Sequence, residues 1–458
     1  MNQKLTLSQY AAIGVMLFAL FFGAGNLIFP AQLGQYSGEA LAPAVIGFLI
    51  TGVGLPLLGV LAIGYSGSSD LQDLASRVHP IYGIGFTALL YLTIGPFFAT
   101  PRTATAAFDI GISGFFNEVP GYALLVFSAI YFGIALWLSL NPSKLVDRVG
   151  KILAPGIIVL LGIMIILSLI NPMGAPGEPQ GAYAEGAFVK GFLEGYNTMD
   201  ALASLVFAII VINAIKLMGV REKGAILKYT VRSGLVAVTF LALIYVGIAY
   251  IGSTSTEAFG YFETGGPVLS SAANFYFGVA GQSILAIIVI LACLTTAIGL
   301  ITANAEYFSR LIPKVSYKVW AVIFALISFT IANFGLANII KFSIPVLMFL
   351  YPLAITIMLL AFTSPLFKHA RFVYVSTIGV AFIISIFDGL KAFCDLMEIS
   401  YFGWMQAVIN FFDKVLPLYS QGVGWLVPVA VVLVLTGVIA RVIKTEQPSP
   451  EINVQSQQ

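Results

Sequence analysis

Long apolar runs separated by short polar stretches dominate the chain. They fall near 9–33, 42–65, 82–112, 122–140, 152–170, 188–218, 235–251, 282–308, 319–334, 339–362, 372–393 and 424–442. Each is close to the roughly 20 residues that an α-helix needs to cross a hydrocarbon core about 30 Å thick. Twelve spans use most of the residues and leave little for a soluble domain, so the pattern predicts an all-α integral membrane protein. The connection 173–183 is rich in Pro and Gly and reads as an external loop, 400–416 reads as an amphipathic helix lying at the membrane interface, and 446–458 reads as a disordered tail. The polar N-terminus runs into span 1 without an Ala-x-Ala cleavage pattern, so span 1 is expected to stay in the mature protein.

Composition narrows the class. The 458 residues are 59% apolar and 9% charged, against about 25% charge in a soluble protein. That excludes an ordinary globular enzyme, a nucleic-acid binder and a disordered chain. The net charge of +2 gives no reason to expect a polyanionic partner. Cys293 and Cys394 sit in apolar stretches and read as small fillers. What the charges do say lies in their placement. Lys144, Arg148, Lys151, Arg221, Lys223, Arg310, Lys314, Lys318, Lys368 and Arg371 fall in one set of alternate connections, and Glu39, Glu118, Glu178, Glu257, Glu263, Asp395 and Glu398 in the other. The positive-inside bias then puts both termini in the cytoplasm.

Two spans carry internal breaks. In span 1, Phe22-Gly23-Ala24-Gly25-Asn26 sits where the bilayer midplane should be, and in span 6 the stretch 194–200 (EGYNTMD) interrupts an otherwise apolar run. Unwound backbone at that depth must line a cavity, because lipid satisfies no amide or carbonyl. Breaks in corresponding places point to an inverted-repeat transporter, with spans 1–5 and 6–10 as the repeats and spans 11 and 12 appended. Exposed half-helix amides suit an anionic group and free carbonyls suit a cation or an ammonium, a combination fitted to a zwitterion travelling with a cation. The competing explanation is that the glycines only let helices approach closely. Asp200 argues against that explanation at span 6, since an aspartate near the membrane centre costs about 3 kcal/mol on insertion scales and needs a partner, for which Arg102 is one candidate.

The runs 18–30 (FALFFGAGNLIFP), 95–105 (GPFFATPRTAT) and 195–203 (GYNTMDALA) resemble the leucine/isoleucine/valine:cation symporter family of bacteria, and the resemblance holds over nearly the whole chain in length, span count and motif order. It implies sodium-coupled uptake of leucine, isoleucine and valine across the bacterial inner membrane. It also implies the leucine-transporter fold, with a first repeat at 1–171, an external loop at 172–187, a second repeat at 188–364, spans 11 and 12 at 365–445 and a cytoplasmic tail at 446–458. In sodium symporters of that fold an ion site is made by carbonyls of helix 1 and an Ala-x-x-Thr-Ser pattern on helix 8. The run Ala292-Cys293-Leu294-Thr295-Thr296 is similar, and the matching carbonyls fall at Ala19 and Phe22. The alternative is that both Thr hydroxyls bond back to their own helix.

Gly23, Ala24, Gly25 and Asn26 are expected to meet a substrate carboxylate through backbone amides, with Tyr196, Asn197, Thr198 and Asp200 completing the site. Asp200 has three open roles: holding the amino group, coordinating a second sodium, or stabilising the unwound stretch. Arg102 and Asp109, seven residues apart on span 3, form a candidate external gate, with snorkelling of Arg102 as the alternative. Lys151 is either a cytoplasmic anchor or an ammonium that replaces sodium and makes coupling proton-dependent. His79 and His369 stand apart from each other and from the cysteines, so no metal cluster is expected. There is no P-loop pattern for an ATP-driven pump, no charged or carbonyl ring for a channel and no catalytic constellation. Apart from the co-transported ion no cofactor is expected; the partners are a small amino acid and lipid, and nothing in the pattern sets an oligomeric state.

Overall fold

The structure is a computed structural model. It describes residues 4–116, 118–140 and 144–442, without side chains for 144–154. The regular secondary structure among the described residues is helical, with no strands. In chain order the helices are α1 (Leu7–Phe21), α2 (Ala24–Ser37), α3 (Leu41–Leu49), α4 (Leu55–Ser66), α5 (Leu71–Ser76), α6 (Pro80–Leu92), α7 (Ala99–Gly111), α8 (Ala123–Leu140) and α9 (Lys144–Ile170). They continue as α10 (Ala182–Glu194), α11 (Asp200–Leu217), α12 (Lys223–Phe259), α13 (Gly265–Leu311), α14 (Tyr317–Ala332), α15 (Leu336–Thr363), α16 (Arg371–Leu396), α17 (Gly403–Val415) and α18 (Leu426–Val442).

Every apolar run of the sequence is helical here. Eight stretches are long and apolar enough to cross a membrane, and Leu7–Phe21, Pro155–Ile170, Tyr317–Ala332 and Leu426–Val442 are shorter apolar helices. Span 1 is α1 plus α2 and span 6 is α10 plus α11, each split where the sequence predicted. The expected interfacial helix is α17. Helix α12 is far longer than the run 235–251, because its first turns are too polar for lipid yet still helix-forming. Span 8 likewise begins earlier: α13 starts at Gly265 and is interrupted at Gly278, whose φ of +64° is a conformation glycine adopts without a Cβ penalty. Spans 2 and 3 contain π-helical turns at Ile50–Gly54 and Thr93–Phe97, the latter around Gly95-Pro96, where proline offers no N–H to an α-helical ladder. The tail 446–458 lies outside the described residues.

The surface carries large apolar side chains such as Ile130, Trp137, Leu243 and Val434, all more than half exposed, as a lipid-facing surface requires. Inside, the half-helices are clamped by small residues. A Cβ on Gly34 of α2 would stand 2.0 Å from the Ala249 carbonyl oxygen of α12, and one on Gly252 of α12 would stand 2.1 Å from the Ala31 carbonyl oxygen. The backbones of α2 and α12 therefore touch, with no room for a methyl group between them. This close packing brings α12 alongside the break between α1 and α2.

Candidate functional site

At the first break Phe22 (ψ +90°) and Gly23 (φ −117°, ψ −165°) are extended, and α2 restarts at Ala24. Asn26 holds the break from within: its Oδ1 accepts the Gly23 N–H at 2.8 Å. Its Nδ2 donates to Asp200 Oδ2 at 2.5 Å and to the Tyr245 hydroxyl of α12. The Tyr245 hydroxyl in turn donates to Asp200 Oδ2 at 2.9 Å. Asn26 and Asp200 are 2% and 4% exposed. Three interrupted or adjoining spans thus meet on one carboxylate oxygen, and hydrogen bonds from both partners compensate part of the cost of burying it.

The second break is a short 3-10 turn, Gly195–Thr198, followed by Met199 at φ +62°. A left-handed methionine costs of order 1 kcal/mol, and burial of its side chain with the N–H bond to the Tyr196 carbonyl at 3.0 Å hold it there. Asp200 then falls in the first turn of α11, where a negative charge is favoured by the helix dipole. The Thr198 hydroxyl donates to the Gly195 carbonyl at 2.9 Å and accepts the Asp200 N–H at 3.3 Å. Asn197 Nδ2 donates to Glu194 Oε2 at 2.8 Å, and the Tyr196 ring stacks on Tyr351 of α15 at 4.0 Å between centroids. The two breaks abut, since a Cβ on Gly25 would lie 3.6 Å from the Thr198 Cα.

Between the breaks lies a small cavity of about 50 Å³. Gly23, Ala24, Gly25, Asn26, Thr198 and Asp200 line it, as do Arg102, Thr103 and Thr296. Its apolar walls include Leu20 and Phe21, the last residues of α1 before the break, together with Ile94, Ala203, Phe207 and Leu300. Tyr196 and Asn197 are not among the residues that line it. Tyr196 is fully buried against Tyr351, and the Asn197 carbonyl is turned to Arg102, whose Nη1 donates to it at 2.6 Å.

The expectations for the charged and ion-binding residues divide. Arg102 neither snorkels nor pairs with Asp200: it is 2% exposed, and its second donor goes to Ser343 Oγ of α15 at 3.2 Å. Asp109 does not join it. Its Oδ2 accepts from the Thr264 hydroxyl at 3.2 Å, and it lines a separate, larger cavity with Glu263, Thr264 and Asn338. Seven residues of helix put about 10 Å of rise between the two, so they do not act as one ion pair. The Thr295 and Thr296 hydroxyls both donate to the Ala292 carbonyl, at 2.8 and 3.1 Å, and the Thr296 Cγ2 methyl would lie 3.5 Å from a Cβ on Gly23. Ala19 precedes the break on α1 and Phe22 lies in it. The Lys151 side chain lies outside the described residues. Both cysteines are buried and free, and no group of acidic, His and Cys side chains that would hold a metal occurs among the described residues.

Tyr245, Ser343 and Phe207 were not foreseen. Tyr245 and Ser343 lie far along the chain from the partners they meet, and the one available signal was a hydroxyl in an apolar span, which must find a buried partner.

The family model for "Branched-chain amino acid transport protein" matches residues 7–443. The branched-chain amino acid permease BrnQ of Bacillus subtilis is 44% identical over 97% of this chain and 100% of its own, and the permease BraB of the same organism is 45% identical over 99% of both. BrnQ of Lactobacillus delbrueckii subsp. lactis is 45% identical over 96% of this chain and 99% of its own. Among solved structures, the inward-facing conformation of Mhp1 matches with a TM-score of 0.58 at 14% identity, over 94% of this chain and 90% of that one. MhsT in complex with L-phenylalanine matches with a TM-score of 0.54 at 15% identity, over 96% and 99%. The fold is therefore the leucine-transporter fold, built here on a multi-pass membrane protein with helices broken at 22–23 and 195–199. With its family model and its curated relatives matched from end to end, the chain belongs to the branched-chain amino acid transport protein family, whose named members are permeases and not enzymes.

Proposed function

We propose that the chain is a secondary carrier that imports leucine, isoleucine and valine together with sodium by alternating access. The observation that carries this reading is the single cavity at both helix breaks, which offers an α2 N-terminus for a carboxylate, Asp200 for an ammonium and Phe207, Leu20, Ile94 and Leu300 for an aliphatic side chain. Such a site holds a zwitterion by its ends and selects its middle by size and apolarity. Asp200 serves twice in this reading: the bonds on Oδ2 fix the unwound stretches, and the charge faces the substrate. The repeats are 1–171 and 188–364, and both termini are cytoplasmic in a bacterial inner membrane. The cavity walls that continue from the breaks along α1 then face the cytoplasm.

Sodium is assigned to the Ala19 and Phe22 carbonyls with Ala292, Thr295 and Thr296, oxygen ligands that suit a hard monovalent cation. Each hydroxyl keeps a lone pair for an ion while donating to Ala292. A second reading, proton coupling, is favoured by those same bonds, because hydroxyls satisfied within their own helix need no ion. The relevant experiment is uptake of radiolabelled leucine into proteoliposomes with excess unlabelled isoleucine, valine, alanine or lysine outside. Inhibition by isoleucine and valine, with alanine and lysine ineffective, is the expected result; leucine uptake insensitive to both would remove the branched-chain assignment.

A further inference from the structure

We propose that Arg102 is the anchor for the substrate carboxylate and sets the preference for amino acids over the corresponding carboxamides. This rests on the carrier reading above and adds to it a residue outside both helix breaks. Arg102 is one of the lining residues of the cavity and 2% exposed. A guanidinium has five N–H donors. Two are engaged, by the Asn197 carbonyl and the Ser343 hydroxyl, both neutral, and Nε is buried without a partner. The ion pairs among the described residues, Lys190 with Glu194 and Lys341 with Glu263, do not include it. The Phe29 ring, 5.0 Å from the guanidinium carbon, also faces its charge.

A purely structural staple between α7, the unwound stretch and α15 would need donors but no charge. A buried charge with only neutral partners is costly, and the cost is met when an anion binds beside it. The same cavity holds Asp200, whose carboxylate receives its two side-chain bonds on one oxygen and likewise has no cationic partner among the described residues. A positive and a negative group lining one small cavity, each paired to neutral groups and not to each other, are complementary to a zwitterion: carboxylate toward Arg102 and the α2 amides, ammonium toward Asp200. The planar fork of guanidinium donors matches a carboxylate in two bonds, which an ammonium side chain does not reproduce. Because Nη1 also holds the Asn197 carbonyl, an occupied cavity is tied directly to the unwound stretch of span 6.

Equilibrium binding of leucine and of leucinamide, which keeps the ammonium and side chain but lacks the carboxylate, tests this on the purified full-length protein. Wild type is expected to prefer leucine by about 100-fold, and Arg102→Met to weaken leucine by at least about 30-fold while leucinamide changes by less than about threefold. Arg102→Lys keeps the charge and should lose roughly tenfold for leucine alone; it decides the matter if the Met variant does not fold. A structural staple would move both ligands together, so parallel losses in either folded variant, or unchanged leucine affinity, overturn the proposal. If wild type binds leucinamide as tightly as leucine, Arg102 is not the anchor although the carrier reading stands. If wild type binds neither leucine, isoleucine nor valine, the carrier reading itself falls and takes this inference with it.

Discussion

Replacing Asp200 by Asn separates binding from stability. The substitution is isosteric, and an amide oxygen in the place of Oδ2 still accepts from Asn26 Nδ2 and from the Tyr245 hydroxyl, now 2.5 and 2.9 Å away. Hydrogen bonds to a charged group contribute about 1.5–3 kcal/mol and neutral ones about 0.5–1.5, so losing the charge weakens the pair by about 2 kcal/mol in total. Relief of the desolvation of a buried charge offsets part of that, leaving a net loss of stability of no more than about 2 kcal/mol. The ammonium of a bound amino acid has no such compensation. Removing one member of a buried charge pair costs about 2–5 kcal/mol, which is roughly 30- to 4,000-fold in Kd. Asp200→Ala, by contrast, strands the Asn26 and Tyr245 donors and should lower stability further by about 2–4 kcal/mol. Scintillation-proximity binding of leucine alongside thermal unfolding of each variant reads both effects. Wild-type leucine affinity in a folded Asp200→Asn protein would refute the reasoning.

Other consequences are open to the same methods. Tyr245→Phe removes a donor to Asp200 and an acceptor for Asn26; leucine affinity should fall by about tenfold with a stability loss near 1 kcal/mol, and no change in either would show that the network does not support the site. Gly34→Ala forces a methyl group against the Ala249 carbonyl oxygen and should lower stability by about 1–3 kcal/mol, seen as an earlier melting transition; an unchanged transition would mean that α2 and α12 pack more loosely than described. The double variant Thr295→Val and Thr296→Val should raise the sodium concentration for half-maximal uptake by about tenfold or more, taking about 1.4 kcal/mol per tenfold, while leucine affinity at saturating sodium stays near wild type; an unchanged sodium curve would remove these hydroxyls from the ion site.

Much of this was legible in the sequence because the bilayer leaves few choices. Apolar runs of spanning length must be helices, and Gly23, Gly25 and Asp200 inside such runs are tolerable only beside a cavity, so both breaks and the meeting of Asn26 with Asp200 at one site could be anticipated. Helix ends were less legible. Hydropathy reports lipid contact, whereas α12 and α13 continue well past it through polar turns that form backbone bonds equally well. The partners that complete the site were hidden for a different reason. Tyr245 and Ser343 come from spans whose local pattern is simply apolar, and only the packing of α12 and α15 against the breaks turns their hydroxyls toward Asp200 and Arg102. The seven-residue spacing of Arg102 and Asp109 also misled: shared direction on a helix does not bring two side chains together when a full two turns separate them.

The central claim, coupled transport, is tested most directly by concentrative uptake. Proteoliposomes would be given radiolabelled leucine under an inward sodium gradient, with equimolar choline and a sodium-free inward proton gradient as the alternatives. Accumulation above the external concentration with sodium, and equilibration at best in choline or under the proton gradient, is the predicted result. Accumulation driven by protons without sodium would contradict the ion assignment, and absence of accumulation under every gradient would contradict the carrier itself.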